Sequence, residues 1–463
     1  MLKWLKIENF KSWADTGIVP LAPITGLFGA NSSGKTSLLQ FLLMLKQTVE
    51  STDRTRVLQL GNGRSSVDLG TFSDVIHQHQ IANALAFDLR WEPSARLRQK
   101  LPLKVNHGIG FTAIIRADTA ESLSPRLRVE RFHYRLDQAR FGMQYVQTTS
   151  GFLSDMAPRA WPKEQYLLEA DGYELKSELQ TFPPAELPLP APIRFYGFPD
   201  ETYAQYRNVG FLADLALELE KLFQQIFYLG PIREYFHRTY QWSGEPIENV
   251  GVRGEYTIQA LLAARALRQS FPTVEERVAR WLKEMKLIED FSVRPIAEHR
   301  DEYEVKVRQN RNSAEVSISD VGFGVSQILP VLVLCAYAPP GSVLLLEQPE
   351  LHLHPSVQYD LADVLIDAMQ NRQLQIILES HSEHLLQRLQ RRIAERDELA
   401  DKLALYFCEI KQAASTLTPL RLDEYGNISN WPPDFFGDEM GELTARAEAA
   451  ANRQENTAQG KTK

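Results

Sequence analysis

One segment, GANSSGKT at residues 29–36, constrains the fold of this chain more than any other. It matches the pattern G-x-x-x-x-G-K-[ST] in full. The apolar segment ITGLFG leads into it, and KTSLLQFLLMLKQTV then has the apolar spacing of a helix. In a strand–loop–helix unit of this kind, glycines let backbone N–H groups turn toward a phosphate, and the start of the helix adds partial positive charge. The segment therefore predicts a phosphate-binding loop.

The side chains of this loop have distinct expected roles. Lys35 is expected to reach the β- and γ-phosphates of a nucleotide, and Thr36 to bind Mg²⁺. A chance match in a glycine-containing loop is the alternative, and the flanking strand and helix disfavour it. The residues predicted to bind the nucleotide here are Gly29, Asn31, Ser32, Ser33, Gly34, Lys35, Thr36 and Ser37.

A second segment, SVLLLEQPELHLHP, places Glu347 at the end of an apolar strand. In phosphate-loop proteins such a strand brings an acid to the metal ion, and ligands bind at the carboxyl edge of parallel strands. An apolar strand that ends in Glu is structural in most proteins. Its combination with the phosphate loop makes Glu347 the predicted second Mg²⁺ ligand, beside Thr36.

The remaining sequence divides by pattern. The final third alternates apolar strands with helices, which predicts a parallel sheet covered on both faces. Residues 82–147 carry short β-branched and aromatic segments, which favour an antiparallel β subdomain. Residues 158–199 hold much of the proline and are predicted to form a loop region. The predicted fold class is α/β.

Composition excludes several classes of protein. The net charge of −8 means that the surface as a whole does not attract nucleic acid, although a local basic patch is compatible with it. Cys335 and Cys408 lie in apolar segments, as buried thiols do in a reducing compartment. No apolar stretch reaches membrane-spanning length, and the first residues lack the features of a signal peptide. A cytoplasmic protein without a membrane partner is expected.

Segments spread over most of the chain resemble ABC-type ATPase heads of the SMC/Rad50/OLD-like kind. More closely, the chain resembles stand-alone bacterial AAA-type ATPases with a DUF3696-like C-terminal segment. The resemblance implies a P-loop head of the ABC-ATPase type, ATP and Mg²⁺ as cofactors, and a homodimer or higher oligomer with ATP between two heads. The segments are IENFKSW, GANSSGKT, YLGPIREYFHRTYQWSG, VGFGVSQILPVL, EQPELHLHP, ESHSEHLL and WPPDFFGDEM.

The resemblance also assigns roles. SISDVGFGVSQILP stands where such heads carry the signature motif that contacts the γ-phosphate held by the other subunit, and His381 matches their switch histidine. Small residues at a helix N-terminus suit contact with an anion. A glycine-hinged turn before a core helix is the alternative reading. The signature candidates are Ser319, Gly322, Gly324 and Ser326.

Gln348 follows Glu347 where ABC-type ATPases keep the general base. A glutamine cannot take a proton from water, although its carbonyl can orient one. Either Glu350 supplies the base, or hydrolysis is slow and ATP acts mainly as a clamp on a dimer. The predicted catalytic residues are Glu347, Gln348, Glu350 and His381.

The predicted function is an ATP-dependent dimeric switch with slow ATPase activity. By resemblance it acts on a separate effector, a nuclease or toxin, in bacterial anti-phage defence of the Septu-like or PARIS-like kind. The alternatives are a DNA-repair ATPase of the Rad50/RecF kind and a scaffold that binds ATP without hydrolysing it. The predicted domains are two parts of the ATPase head at 1–80 and 311–412, a β-rich insertion with the proline-rich loop at 81–200, a helical lobe at 201–310, a DUF3696-like segment at 413–449 and a disordered tail at 450–463.

Weaker signals leave alternatives open. Arg233 is expected either to form a core salt bridge, the favoured reading, or to reach nucleotide in the other subunit. Gln78 or Gln80 is a candidate for the loop glutamine that senses Mg²⁺. The HLH segment at 352–354 is expected to cross a dimer interface rather than to bind a metal. A partner or nucleic-acid patch and a solvated helix face, the latter favoured, are the two readings of Arg388, Arg391 and Arg392.

Overall fold

The computed structural model describes most of the chain, in segments separated by short gaps. The described residues are 1–63, 65–118, 126–146, 165–178, 188–267, 273–432, 435, 444–450 and 453. The strands are Leu2–Phe10 (β1), Trp13–Asp15 (β2), Val19–Pro20 (β3), Ile24–Gly29 (β4), Leu85–Trp91 (β5), Ile109–Ala117 (β6), Leu127–Arg135 (β7), Arg140–Val146 (β8), Gln165–Asp171 (β9), Ile226–Leu229 (β10), Tyr240–Gln241 (β11), Asp290–Pro295 (β12), Glu302–Arg308 (β13), Val316–Ser317 (β14), Val343–Glu347 (β15), Gln375–Glu379 (β16), Leu403–Lys411 (β17) and Ala414–Pro419 (β18). The α-helices are Lys35–Glu50 (α1), Phe72–Val75 (α2), Ala95–Lys100 (α3), Asp200–Gln205 (α4), Phe211–Gln224 (α5), Thr257–Ala266 (α6), Val274–Glu284 (α7), Phe323–Tyr337 (α8), Pro355–Arg372 (α9) and Glu383–Glu395 (α10).

A mostly parallel sheet forms the centre of the molecule. Its strand order is β10-β15-β16-β4-β17-β18, and only β18 runs antiparallel to its neighbour. Every residue of β4, β15 and β16 is buried, because helices or the second sheet cover both faces. The phosphate-loop strand β4 and the acid-bearing strand β15 are not neighbours, since β16 lies between them. The predicted α/β class is confirmed.

The two faces of the central sheet contribute to two hydrophobic cores. Successive side chains of a strand point to opposite faces. Val343 and Leu345 of β15 accordingly join the core that contains α1, α5 and the second sheet. Leu344 and Leu346 join the core built around α8, α9 and α10. The near-continuous apolar segments in the sequence are therefore explained by burial on both sides.

The second sheet is antiparallel, with the order β2-β1-β5-β6-β7-β8-β9 and β3 added to β1. The predicted antiparallel subdomain is present, and it crosses the boundary predicted between residues 80 and 81, because β1 pairs with β5. The prediction of a loop region over residues 158–199 is wrong for β9, which pairs with β8 over its whole length. Most of the proline-rich segment at 182–192 lies outside the described residues.

Strands also interrupt the region predicted as a helical lobe. β10 lies at the edge of the central sheet, and β11, β12 and β13 form a small antiparallel sheet to which β14 is added. Packing of α6, α7 and α8 against one another completes this part of the molecule.

The C-terminal segment packs against β4, the strand that leads into the phosphate loop. The ring of Phe435 stacks on Phe407 at 4.8 Å between centroids and lies 6.1 Å from Phe28. Residues 444–450 and 453 are helical. The prediction of a disordered tail over residues 450–463 is therefore wrong at residues 450 and 453. The rest of WPPDFFGDEM after Pro432 and the rest of the tail lie outside the described residues. Among the described helices, none combines the length and the apolar character needed to cross a bilayer.

Candidate functional site

The phosphate loop connects β4 to α1 and depends on two glycines with positive φ. Gly29 has φ +132°, and a Cβ there would overlap the carbonyl oxygen of Cys408 on the neighbouring strand. Gly34 has φ +95°, and a Cβ there would overlap the hydroxyl of Ser415. A side chain at either position would therefore displace the loop.

The N-terminus of α1 has no cap from a side chain. Gly34 precedes the helix, no side chain accepts from its first N–H groups, and its first turn contains no acid. Side chains do cap α7, α9 and α10, through Thr273, His354 and Ser382. Free N–H groups and the helix dipole at α1 are the arrangement that binds phosphate.

Lys35, the first residue of α1, is folded over this loop. It is 2% exposed, and its Nζ donates to the carbonyl oxygens of Gly29 at 3.1 Å and Ala30 at 2.7 Å. Burial lowers the pKa of Lys35, and the nearby carboxylate of Glu379 opposes that shift. The ammonium thus lies among loop atoms, where it can reach a bound phosphate.

The other loop residues differ in accessibility. Asn31 and Ser32 are exposed, Ser37 is half-buried, and Ser33 is buried with its hydroxyl 3.4 Å from the Nζ of Lys35. Ser32 has φ +60°, a conformation that non-glycine residues seldom adopt. The loop therefore presents Asn31 and Ser32 to solvent and keeps Ser33 beside the lysine.

Glu379 is the site residue that the sequence analysis missed. It ends β16, is 3% exposed, and accepts a 2.6 Å hydrogen bond from the Thr36 hydroxyl through Oε2. Its Oε1 lies 3.9 Å from the Nζ of Lys35. The strand reads QIILE, the same apolar pattern ending in an acid as VLLLE. That repetition is the signal that could have identified it.

Glu347 lies beside Glu379 at the same edge of the sheet. The two residues are paired in register across β15 and β16, and the hydroxyl of Tyr228 donates to Glu347 at 3.0 Å. Burial, with a further contribution from the charge of Glu379, raises the pKa of Glu347 to about 7. The strand order thus brings Thr36, Glu347 and Glu379 to one edge.

The groups at this edge fit Mg²⁺. A hydroxyl and two carboxylates supply the oxygen ligands that this ion prefers. Within the described segments, no group of three or more His, Cys, Asp or Glu side chains is placed to hold a metal ion.

Gln348 occupies a tight turn directly after β15. Its φ is +43°, and its backbone N–H donates to the carbonyl oxygen of Glu379 at 2.9 Å. The Nη2 of Arg233 donates to the carbonyl oxygens of Glu347 at 3.2 Å and Gln348 at 3.4 Å. Neighbouring groups therefore hold this uncommon conformation in place.

The salt bridge expected for Arg233 is absent. This residue is 2% exposed, and the described chain has no carboxylate oxygen within 4.0 Å of it. Its Nε and Nη1 are buried and have no hydrogen-bond partner among the residues that the structure describes. Burial lowers the pKa of Arg233 to about 10, while the charge of Glu350 favours its protonated form. The guanidinium binds backbone carbonyls because these, rather than a carboxylate, come within reach at the end of β15.

Glu350 and His381 lie next to each other at the same edge of the central sheet. Glu350 is 6% exposed, and its Oε1 accepts a 2.7 Å hydrogen bond from the backbone N–H of His381. Burial raises the pKa of Glu350. The His381 ring is half-buried with its Nε2 3.9 Å from Glu379, and burial, then the charge of Lys35, lowers its pKa. The switch candidate therefore lies next to the phosphate-loop groups.

The signature candidates divide into exposed and buried residues. Gly322 is exposed, and Ser319 lies in a short turn fixed by paired hydrogen bonds from Arg238 to Asp320 at 2.7 and 3.2 Å. Gly324 is half-buried, near the carbonyl of His352. Ser326, in the first turns of α8, is 6% exposed.

The weaker candidates have local partners. Arg388 and Arg392 both pair with Asp363, so two of the three arginines form an ion-pair network within the chain rather than a free basic patch. Arg391 pairs with Glu395 at 2.8 Å. Gln78 and Gln80 are exposed and hydrogen-bonded to each other.

Three family models match separate parts of the chain. One described as an AAA domain matches residues 5–76. Another, whose description names an AAA domain, AbiEii toxin and a type IV TA system, matches residues 193–387. A third, described as a protein of unknown function (DUF3696), matches residues 400–445 and so begins before the boundary predicted at residue 413. The two AAA matches contain β4 and β16, which pair in the central sheet.

Among solved structures, the chain is similar to SMC head domains, and a search of curated proteins finds no match. The SMC head domain from Thermotoga maritima has 11% identity and a TM-score of 0.40, with 91% of this chain and 99% of that chain covered. An SmcHead bound to the C-winged helix domain of ScpA has 12% identity, a TM-score of 0.42, and 91% and 98% coverage. The Smc head domain with an extended coiled coil, bound to the C-terminal domain of ScpA derived from Pyrococcus furiosus, has 12% identity, a TM-score of 0.40, and 91% and 96% coverage.

TM-scores this low carry no conclusion about activity. Any conclusion about activity depends on the family models and on the site itself. The matched AAA domains contain the phosphate loop and the two acid-bearing strands. The structure joins these parts into one edge with an uncapped helix N-terminus. Together, the family models and this geometry support a P-loop ATPase with AAA-type domains.

Proposed function

We propose that this chain binds ATP with Mg²⁺, hydrolyses it slowly, and closes into a dimer around it to switch a separate effector. The observation that carries the proposal is the contact between Thr36 and Glu379. It joins the phosphate loop to the carboxyl ends of β15 and β16. Nucleotides bind at this edge in α/β sheets of this kind.

Different groups in the chain bind the phosphates and the Mg²⁺. The N–H groups at the start of α1 bind the phosphates, and Lys35 moves from the loop carbonyls onto their oxygens. Thr36 and Glu347 hold Mg²⁺, which supplies charge neutralisation for the phosphates when it is bound. His381, held by Glu350, lies beside these groups and is available to contact the γ-phosphate.

Slow hydrolysis follows from the residues next to Glu347. Gln348 cannot accept a proton from water. The carboxylate of Glu350 is buried, and its Oε1 accepts a hydrogen bond from the backbone N–H of His381, which supports a structural role for this acid over that of a general base. Phosphoryl transfer depends mainly on positioning and charge, which allows a low rate without a strong base. The geometry favours a clamp over a rapid turnover cycle.

Dimer closure would use the exposed start of α8. Gly322 precedes the helix without a side-chain cap, and the first turn contains no acid. Such a helix N-terminus suits a phosphate held by a second copy of the chain. Ser319 and Gly322 are the candidates that remain accessible for this contact.

The effector is proposed on resemblance alone. One matched family model names AbiEii toxin and a type IV TA system, in agreement with an ATPase that controls a toxin or nuclease in anti-phage defence. Fold likeness does not establish such a role. Co-purification of the tagged chain with the product of a neighbouring nuclease or toxin gene, dependent on ATP, tests this part.

The nucleotide-dependent switch is tested by light scattering coupled to size exclusion. The expected result is a monomer without nucleotide and a dimer with Mg-ATP, with turnover below about 1 s⁻¹, the low end for enzymes. Lys35→Met should abolish the dimer, whereas Lys46→Met, at the other end of α1, should preserve it. A wild-type chain that stays monomeric with ATP, or many turnovers per second unaffected by Glu350→Gln, contradicts the proposal. ATPase activity that rises on adding DNA and falls with salt would instead indicate the DNA-repair alternative.

A further inference from the structure

Glu379 has no role in the motifs that predict the site, although it makes the shortest side-chain contact to the phosphate loop. We propose, building on the function proposed above, that Glu379 is a second carboxylate ligand of the nucleotide-bound Mg²⁺. The ion would then be held by acids from two strands, β15 and β16.

The distance between Thr36 and Glu379 supports shared coordination. Their oxygen atoms are 2.6 Å apart. Neighbouring ligands of an octahedral Mg²⁺, each about 2.1 Å from the ion, lie about 3 Å from one another. An ion that takes Thr36 as a ligand therefore reaches Glu379 with only a small change in the separation of these oxygens.

The position of Glu347 adds a second reason. Glu347 and Glu379 are in register on neighbouring strands, and both are buried. Two adjacent buried carboxylates repel each other, and each loses hydration. Tyr228 donates a hydrogen bond to Glu347, and the Nζ of Lys35 lies 3.9 Å from Glu379, which is too far for a hydrogen bond. A divalent cation between them would compensate both charges.

A purely structural role for Glu379 is the competing interpretation. A salt bridge to Lys35 would provide it, but the Nζ of Lys35 lies closer to the carbonyl oxygens of Gly29 and Ala30, at 3.1 and 2.7 Å. The strongest contact of Glu379 is with Thr36, whose hydroxyl is the expected metal ligand. The contact between Glu379 and Thr36 thus matches two ligands of one ion.

The proposal also accounts for Gln348. The backbone N–H of Gln348 donates to the carbonyl of Glu379, so the turn after β15 and the end of β16 are joined. The half-buried neutral side chain at 348 adds no further negative charge beside Glu347 and Glu379. The chain therefore retains two carboxylates for the ion, one on each strand.

The test measures ATP affinity with Mg²⁺ and with EDTA for the wild type, Glu379→Gln and the control Glu383→Gln, which lies in the first turn of α10 outside the site. Glutamine keeps an acceptor for Thr36 but removes the charge. The expected result is that Mg²⁺ tightens ATP binding about 10- to 100-fold less in Glu379→Gln than in the wild type or the control. ATP binding in EDTA should be unchanged or tighter, because Lys35 is released. A structural role would instead weaken both affinities equally.

Mn²⁺ binding followed by EPR, with a non-hydrolysable ATP analogue, gives a readout independent of turnover. Glu379→Gln should bind Mn²⁺ more weakly than Glu383→Gln. If Glu379→Gln does not fold, Glu379→Asp, which keeps the charge on a shorter side chain, should show an intermediate loss of the Mg²⁺ effect. An unchanged Mg²⁺ effect in a folded variant overturns this inference alone. Failure of the wild type to bind ATP overturns the proposed function as well.

Discussion

The backbone N–H of His381 donates a 2.7 Å hydrogen bond to the carboxylate of Glu350. The bond joins the turn after β15 to the turn after β16, at the edge where the phosphate loop also ends. The two turns are therefore held together by a part-buried contact.

Replacement of Glu350 separates a structural role from a catalytic one. Glu350→Gln retains an acceptor for the N–H of His381, so we expect folding, ATP binding and the slow rate to be preserved. Glu350→Ala leaves that N–H unpaired and should lower the free energy of unfolding by about 1–3 kcal/mol. Urea denaturation and a steady-state ATPase assay measure the two effects. A Glu350→Gln protein that folds but loses turnover would identify Glu350 as the base.

Replacement of Gln348 by Glu should restore a general base. We expect the turnover rate to rise about 10²-fold, the low end of what a positioned base contributes. The added charge beside Glu347 and Glu379 should also lower stability at neutral pH. Gln348→Asn is the matched neutral control and should not accelerate hydrolysis. No increase in single-turnover rate for a folded Gln348→Glu protein would mean that the side chain at 348 does not face the attacking water.

Lys35→Met should remove phosphate binding and leave the fold intact. The ammonium is buried among loop carbonyls, and methionine fills a similar volume without the cost of a buried charge. ATP affinity, measured by fluorescence titration, should fall at least about tenfold, because a charge-assisted hydrogen bond contributes about 1.5–3 kcal/mol. Lys46→Met is the control on the same helix. Equal affinity in the two variants would contradict the assigned role of Lys35.

Arg233 should be important for the shape of the turn at Gln348. Arg233→Ala leaves a cavity and removes the donors to the carbonyls of Glu347 and Gln348, so we expect a loss of about 2–4 kcal/mol in unfolding free energy. Arg233→Met fills more of the space and removes a buried charge, so its loss should be smaller. Urea denaturation compares the two. A larger loss for Arg233→Met than for Arg233→Ala would contradict this reading.

His133, in β7, should make stability depend on pH. Burial, with smaller contributions from Arg140, Arg135 and Arg131, lowers the pKa of His133 to about 4. Below its ordinary pKa of about 6.5 the unfolded chain binds a proton that the folded chain does not. The stabilisation is therefore complete above about pH 6.5 and is lost as the pH falls toward 4.

The corresponding measurement is the urea midpoint at pH 7.5 and pH 4.5. At pH 4.5, His133 should lower the free energy of unfolding by about 1–2 kcal/mol relative to pH 7.5. This value is reduced for screening by solvent. His133→Gln should remove that part of the difference, and the exposed His299→Gln controls for loss of a histidine. A pH dependence that is the same in both variants would exclude His133 as its source.

The sequence by itself determined those strands and helices that are encoded by a pattern within a short stretch of residues. The GANSSGKT segment, the apolar strand before it and the helix after it give β4, the loop and α1 with their predicted bounds within a residue or two. Residues Glu383–Glu395 form α10, in the final third of the sequence, where helices alternating with apolar strands are predicted. Such patterns reflect interactions within a few residues of each other, so they do not depend on how distant strands are ordered.

Only the tertiary structure decided which groups meet at the site. Thr36 and Glu379 are 343 residues apart, and they touch because β16 is inserted between β4 and β15. The partners of Arg233 and the burial of Ser326 were likewise settled by packing between segments that are distant in sequence. A run of residues encodes a strand and its buried faces, but the neighbours of that strand depend on the free energy of the whole packed sheet.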